Sequence, residues 1–517
     1  MEGVLLVGDL VTPVPSFNPP VLASQQMLET ALRSRESDPA MMGVQIERTF
    51  VIPPPPCEFE ETPFTVFDLL ARPAHVTVLY AFSAPSPSNE ALLTALTAVL
   101  PHFPLLSARI DRHPVTDRPF FVTGNGGKGV LVVEAKVSTA LSDHLPLAPS
   151  PDLALLQVPS EEGNCHMLKV QINRFACGGV VIVPSSLHQA VDGPSMNNFL
   201  QAWADTVRGN GVPPDSLSAP YGPRALVPRC PPRCEYQHRG VEFEPSAPPT
   251  QQQQQHVNKE EKDDGNVSSD DGTVSSSDDG NVSSDDHHEA ADAASSARLV
   301  HPSEISNTLL HFDKEFIAEL KAKAHNKYST FETLSAHVWK KITAARGLLD
   351  DDTNTSIFVA VNGRWRVGDS NAIPKDFFGN AIFSPSADAS ARGLVGGSLA
   401  DAAAKVRTAA RAVDEPYLRS FIDFGAMNPD EFMMPTVVEE DDLLRSDLDL
   451  ISWLHLGLHS LDFGCGGQLV GVLPAFTRLD GDVYLMPSLR KEGGVDVLVA
   501  LWDQHAKQLQ SIAYTMD

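Results

Sequence analysis

Residues 250–297 decide what this chain can fold into. Five glutamines lead into an acidic near-repeat, DDGNVSSDDGTVSSSDDGNVSSDD. The segment has no apolar periodicity, so it has nothing to bury and no means of offsetting the entropy of ordering itself. Between Lys259 and Asp292 stand twelve acids and two lysines, a net charge of −10. It reads as a disordered tether, a solvated spacer expanded by repeat slippage; phosphorylation of the serines that precede acids is the other reading. Any fold must be assembled on either side of it.

Those sides are 44–249 and 298–517, with 1–43 as a loosely attached extension rich in small and polar residues. A chain of 517 residues exceeds what one hydrophobic core usually supports, so two domains are expected. In the first, HVTVLYAF (75–82), LKVQIN (168–173) and GGVVIV (178–183) read as strands, and NEALLTALTAVL (89–100) as a helix. In the second, STFETLSAHVWKKITAARG (329–347) predicts a helix with a Ser329/Glu332 capping box, an apolar stripe and a closing Gly347. SIFVAVNGR (356–364) reads as a buried strand into a turn, and VDVLVALW (495–502) as a strand before a short C-terminal helix. Strands alternating with helices on both sides of the tether indicate two α/β domains, each a mixed sheet with flanking helices.

Charge and motifs exclude several functions. The net charge of −27 argues against nucleic acid. No apolar stretch approaches the roughly 20 residues that span a bilayer. The start, MEGVLLVGDLV, lacks a basic leader, so a reduced cytosolic compartment is expected and the sequons at Asn266 and Asn281 carry little meaning. Cys230 and Cys234, with His238 nearby, lack the further ligands a zinc site needs; no metal is expected. GNGGKG (124–129) matches a nucleotide loop but runs into the strand-like VLVVEAKV, so it reads as a hairpin loop. Asp462-Phe463-Gly464 lacks the other kinase elements, and no G-x-S-x-G elbow occurs.

One chemical candidate remains. His-x-x-x-Asp occurs at His113, His188 and His288. His113 sits in a charged loop and His288 in the tether, whereas His188 follows a buried-strand run. A helix begins near Pro194, with Met196, Phe199, Leu200, Trp203 and Val207 on one face and Gly209 closing it. His188 is thus placed at the carboxyl end of a strand, where α/β proteins carry reactive groups. On local evidence two readings stand: a general base with a supporting acid, or an incidental histidine beside a helix cap at Asp192. With no nucleophile in the chain, a basic His188 would activate the substrate's own group.

These pieces together resemble the plant BAHD acyl-CoA-dependent acyltransferases. The two family motifs, H-x-x-x-D-G and D-F-G-W-G, stand as HQAVDG (188–193) and DFGCG (462–466). Supporting likenesses are the 329–347 helix, VNGRWR (361–366), FFGN (377–380) and ISW (451–453). Within the family, NRFACGG (173–179), EYQHRGVEFEP (235–245) and SFIDFG (420–425) are most similar to hydroxycinnamoyl-CoA amine transferases acting on agmatine, putrescine and tryptamine.

The resemblance implies two chloramphenicol-acetyltransferase-like domains joined by a long crossover, with a channel at their interface and His188 at its middle. It implies His188 as general base, Trp453 as oxyanion donor, and Asp192 turned away to pair with Arg364, with Gly193 in the same turn. Asp462, Gly464 and Gly466 would shape the channel wall. Acyl-CoA is the expected co-substrate, with no tightly bound cofactor; an amine, or alternatively an alcohol, is the acceptor, and the chain is expected to be a monomer. Ser329 and Thr330 open a helix suited to a CoA phosphate, with Lys327 and Lys340 or Lys341 adding charge. Cys465 replaces the family tryptophan, and Ile451 stands where relatives often carry a polar group; both bear on acceptor choice. Intact His188, Asp192, Gly193 and Trp453 speak against an inactive member. Since loop closure cost grows slowly with length, deletion of 250–297 is expected to leave activity and the thermal midpoint near those of the full chain, measured by turnover and calorimetry.

Overall fold

A computed structural model describes residues 42–159, 166–211, 220–245, 301–348, 353–366, 368, 372–436 and 444–516. The tether and nearly all of the 1–43 extension lie outside the described residues. Val44–Asp517 is one compact unit, distinct from Met1–Gly43, and it holds two six-stranded mixed sheets.

The first sheet runs Val44–Ile52, Val130–Val137, Leu168–Phe175, Val180–Leu187, His75–Phe82 and Leu469–Pro474. Val130–Val137 and Leu168–Phe175 are parallel; the other neighbours are antiparallel. Val180–Leu187 is buried at every position, which explains its unbroken apolar start. The second sheet runs Ser386–Ser390, Asn354–Val359, Leu448–Ser452, Asp482–Pro487, Val495–Trp502 and Ile305–Phe312. Its central three strands, Asn354–Val359, Leu448–Ser452 and Asp482–Pro487, are parallel.

Most predicted elements appear within a residue or two. Helix Asn89–Val99 packs on helix Gly193–Val207, and Trp203 Nε1 donates to Leu92 O at 2.9 Å. Of the predicted face on the latter helix, Phe199, Leu200 and Trp203 are buried, while Met196 and Val207 are half-buried. Helix Thr330–Ala345 carries the Ser329/Glu332 capping box. GNGGKG runs into strand Val130–Val137 as expected but is not a hairpin loop: the strand before it, Pro119–Val122, pairs in a separate three-stranded sheet, and the loop is a short turn at Gly124–Gly126 that links the two sheets. Among the described residues no cluster of three or more potential metal ligands occurs, and no helix is long and apolar enough to cross a membrane. His238 is buried between Ser420 Oγ at 3.0 Å and Glu242 Oε2 at 3.2 Å, so its ring serves packing of the crossover.

One strand departs from a simple two-halves division. Leu469–Pro474, from the second half of the chain, adds to the first sheet beside His75–Phe82. The preceding loop makes that transfer possible. Gly464, Cys465 and Gly466 all have left-handed backbones, with φ of 88°, 63° and 89°, a run that glycine makes cheap. At Gly467 a Cβ would lie 2.3 Å from Ser83 O and 2.5 Å from Pro85 O. Backbone meets backbone there. Gly467→Ala is expected to cost about 1–3 kcal/mol, read as a lower urea midpoint with an unchanged slope.

Candidate active site

His188 is the first residue beyond strand Val180–Leu187. Its N–H donates to Ala74 O at 2.9 Å, and Ala190 N–H returns to Leu187 O at 3.0 Å. Four residues on, Asp192 caps the next helix, its Oδ1 accepting Ser195 N–H at 3.0 Å. Pro194 occupies the first turn, where the missing N–H costs nothing.

Asp192 does more than cap. Arg364, brought in by the short turn Gly363–Trp365, donates Nη1 to Asp192 Oδ2 at 2.7 Å and Nη2 to Oδ1 at 3.2 Å. Ala381 N–H also reaches Oδ2 at 3.0 Å. The guanidinium is satisfied all round: Nε donates to Phe377 O, and Nη2 also reaches Ser195 Oγ and Gly379 O, each at 3.0 Å. Side-chain exposure is 2% for Arg364 and 0% for Asp192. A bidentate pair this deep repays its desolvation only because every remaining donor and lone pair is used. Asp192 therefore lies in a brace between two chain segments, spent on Arg364.

His188 retains partial exposure, while its Nδ1 is buried and, among the described residues, without a hydrogen-bond partner. Burial pushes the imidazole below its ordinary 6.5; Arg72 adds to this, while the His188 carbonyl, Asp192 and Asn380 pull the other way. The ring is accordingly neutral at physiological pH. Arg72 itself sits 3.4 Å from Asp449 Oδ2 and 3.6 Å from Asp482 Oδ1, two residues that face each other across parallel strands.

Trp453 directly follows strand Leu448–Ser452, is 7% exposed, and packs edge-on against Tyr484 with ring centroids 5.5 Å apart. Its carbonyl accepts Leu456 N–H at 3.1 Å. Gly193 adjoins the same turn: a Cβ there would meet Leu456 Cδ1 at an ordinary 3.8 Å. Gly193 is the first residue of a helix with no left-handed φ, so the sharp exit from the histidine turn does not depend on it.

The other predicted residues lie elsewhere. Asp462 pairs with Arg208 at 3.2 Å, at the far end of the helix that Asp192 caps, and accepts Gly464 N–H at 2.7 Å. Cys465 and Gly466 are exposed. Ser329 Oγ is taken up by Glu332 N–H, and Glu332 returns its carboxylate to Ser329 N–H while pairing with Arg407. The Glu332 carboxylate therefore shares this helix start with any anion at Ser329 and Thr330. Lys327 is exposed. Lys340 and Lys341 are not: Lys340 Nζ donates to Leu394, Val395 and Gly397 carbonyls, and Lys341 Nζ to Thr515 Oγ1 at 2.6 Å. The apolar stripe of the helix does not reveal that its lysines point inward, Lys340 to carbonyls and Lys341 to a hydroxyl.

Sequence reasoning missed Asp68, Ser195 and Asn380. Ser195 and Asn380 lay in view, one residue past the helix's first proline and at the end of FFGN. Asp68 had only a capping pattern, Thr65-x-x-Asp68, as its signal. Burial raises its carboxyl to about 6.

The Transferase family model, that of the BAHD acyltransferases, matches residues 42–516. The chain belongs to this family. It is an acyl-CoA-dependent acyltransferase. Among its relatives, tryptamine hydroxycinnamoyltransferase 2 of Oryza sativa subsp. japonica is 33% identical over 88% of this chain and 93% of its own. Putrescine hydroxycinnamoyltransferase of the same organism is 31% identical over 89% and 95%, and agmatine coumaroyltransferase-1 of Hordeum vulgare 29% over 90% and 95%. The fold is shared with vinorine synthase, TM-score 0.62 and 20% identity over 91% of this chain and 98% of that one. It is shared too with F. sporotrichioides TRI101 complexed with coenzyme A and T-2, TM-score 0.60 and 14% identity over 88% and 97%. This BAHD chain has the chloramphenicol-acetyltransferase-like architecture, two α/β domains with mixed sheets.

Removing one partner of its buried ion pair leaves the other charge stranded. Asp192→Ala is expected to cost about 3–5 kcal/mol of stability, measured by urea unfolding, with activity falling alongside. With His188 as the general base, its lowered pKa would place the acidic limb of kcat/KM below pH 6.5, because a base is lost only once protonated; a limb above that value would contradict that assignment.

Proposed function

We propose that this enzyme transfers a hydroxycinnamoyl group from its CoA thioester to the nitrogen of an amine, with His188 as general base and no covalent enzyme intermediate. The observation that supports the mechanism is a histidine whose pKa burial lowers, on a turn whose neighbouring acid is taken up by Arg364, Ser195 and Ala381. Asp192 therefore supplies position and His188 supplies basicity. The acceptor class is supported by relatives at about 30% identity whose names specify tryptamine, putrescine and agmatine.

In the proposed step His188 Nε2 takes a proton from the amine as its nitrogen bonds to the thioester carbon. The tetrahedral oxyanion is held by the Trp453 indole N–H. Collapse breaks the carbon–sulfur bond, and the imidazolium returns its proton to the CoA thiolate. Positioned proton transfer contributes on the order of 10²–10⁴-fold, and alignment of two substrates contributes more. The donor is proposed to lie along the second sheet's side, with the exposed Lys327 as a phosphate contact, and the substrates to meet in a channel between the two sheets' domains. A cytosolic monomer is part of the same reading.

The purified chain, incubated with p-coumaroyl-CoA and a panel of tryptamine, putrescine, agmatine and shikimate, is expected to yield amides by mass spectrometry. An ester as main product would move the enzyme to the alcohol acyltransferases, and no product with any acceptor would mark it inactive. His188→Ala is expected to lower kcat at least about 10²-fold; undiminished amide formation would sink the general-base reading.

A further inference from the structure

Two buried polar atoms beside the catalytic turn lack partners among the described residues, and they are complementary. One is Nδ1 of His188; the other is Oδ1 of Asn380. Asn380 is 2% exposed. Its amide nitrogen donates to Asp68 Oδ1 at 3.0 Å and to Gln189 O at 3.0 Å. Gln189 is the residue after His188, so the amide is tied to the same turn. With both N–H groups of a planar amide engaged, the direction of its oxygen is set. Asp68 is held in turn: its Oδ2 accepts Thr65 N–H and Thr65 Oγ1, each at 2.8 Å.

We infer that Asn380 is the positioning residue of His188: its amide oxygen accepts the Nδ1–H of the imidazole, and Asp68 fixes the orientation of that amide. The pairing satisfies both stranded atoms at once, which buried polar groups require. It also selects the tautomer. A proton kept on Nδ1 leaves the Nε2 lone pair free to receive the acceptor's proton. Asp192 cannot perform this service, because Arg364, Ser195 and Ala381 take up its carboxylate. The electrostatics agree in sign, since Asn380 favours the charged imidazole. The charged groups acting on His188 are Arg72 and Asp192, and Asp68 is among the acids acting on the Arg118 guanidinium.

The inference rests on the general-base reading, and the experiment separates the two. With the full chain, p-coumaroyl-CoA and the best amine, Asn380→Ala is expected to lower kcat about tenfold or more while KM for the donor stays within about twofold. Its acidic limb should move to lower pH, as the imidazolium loses an acceptor. Asn380→Asp, nearly isosteric, should move the limb to higher pH by adding a negative charge, and it carries the test if Asn380→Ala does not fold. Asp68→Asn should lower kcat in the same direction with a smaller change. A folded Asn380→Ala with kcat within about twofold and an unmoved limb, or an unmoved limb in Asn380→Asp, overturns the inference. If His188→Ala is inactive while the Asn380 variants behave like the parent, only the positioning role falls. If His188→Ala is active, the general-base reading falls instead.

Discussion

The buried pair between Asp192 and Arg364 is the constraint on which the His188 turn depends. It joins a residue at the end of a first-sheet strand to one from a turn beyond the second sheet's Asn354–Val359 strand. Each charge would be prohibitively costly there alone. Together, and only with Phe377, Gly379, Ala381 and Ser195 completing their shells, they hold. The same contacts aim the histidine, because His188 and Asp192 share one short loop.

Two further joins keep that geometry rigid. Strand Leu469–Pro474 carries the second half of the chain into the first sheet. The crossover at 220–245 is clasped onto helix Glu415–Met427, where Asp423 accepts Arg229 N–H at 2.7 Å. Phe67 meets Phe383 and Phe421 edge-on at 5.2 Å each, placing the short helix that bears Asp68 against the segment that bears Asn380. Catalytic residues at strand ends need such support, since an imidazole misplaced by about 1 Å loses on the order of a hundredfold in rate.

Much of this was legible before any coordinates. The His188 turn stood out from two identical spacings because it alone lay between a buried strand and a helix, and that is where it sits. Ser329 and Glu332 announced their helix through the capping box. Lys340 and Lys341 were expected to add charge beside a CoA phosphate and instead turn inward, since an apolar stripe says which face is buried but not how far a long side chain reaches.

Local patterning therefore determined the elements, their order and the placing of His188 between a buried strand and a helix, because periodicity, caps and strand composition are properties of neighbours in the chain. Only the tertiary structure decided which sheet the strand Leu469–Pro474 joins, that Asp192 serves both its helix and Arg364, and that Asn380 ties Asp68 to the residue after His188. Those outcomes turn on desolvation. Residues 172 and 312 positions apart, as Arg364 is from Asp192 and Asn380 from Asp68, become partners only when folding removes the water that would otherwise satisfy them.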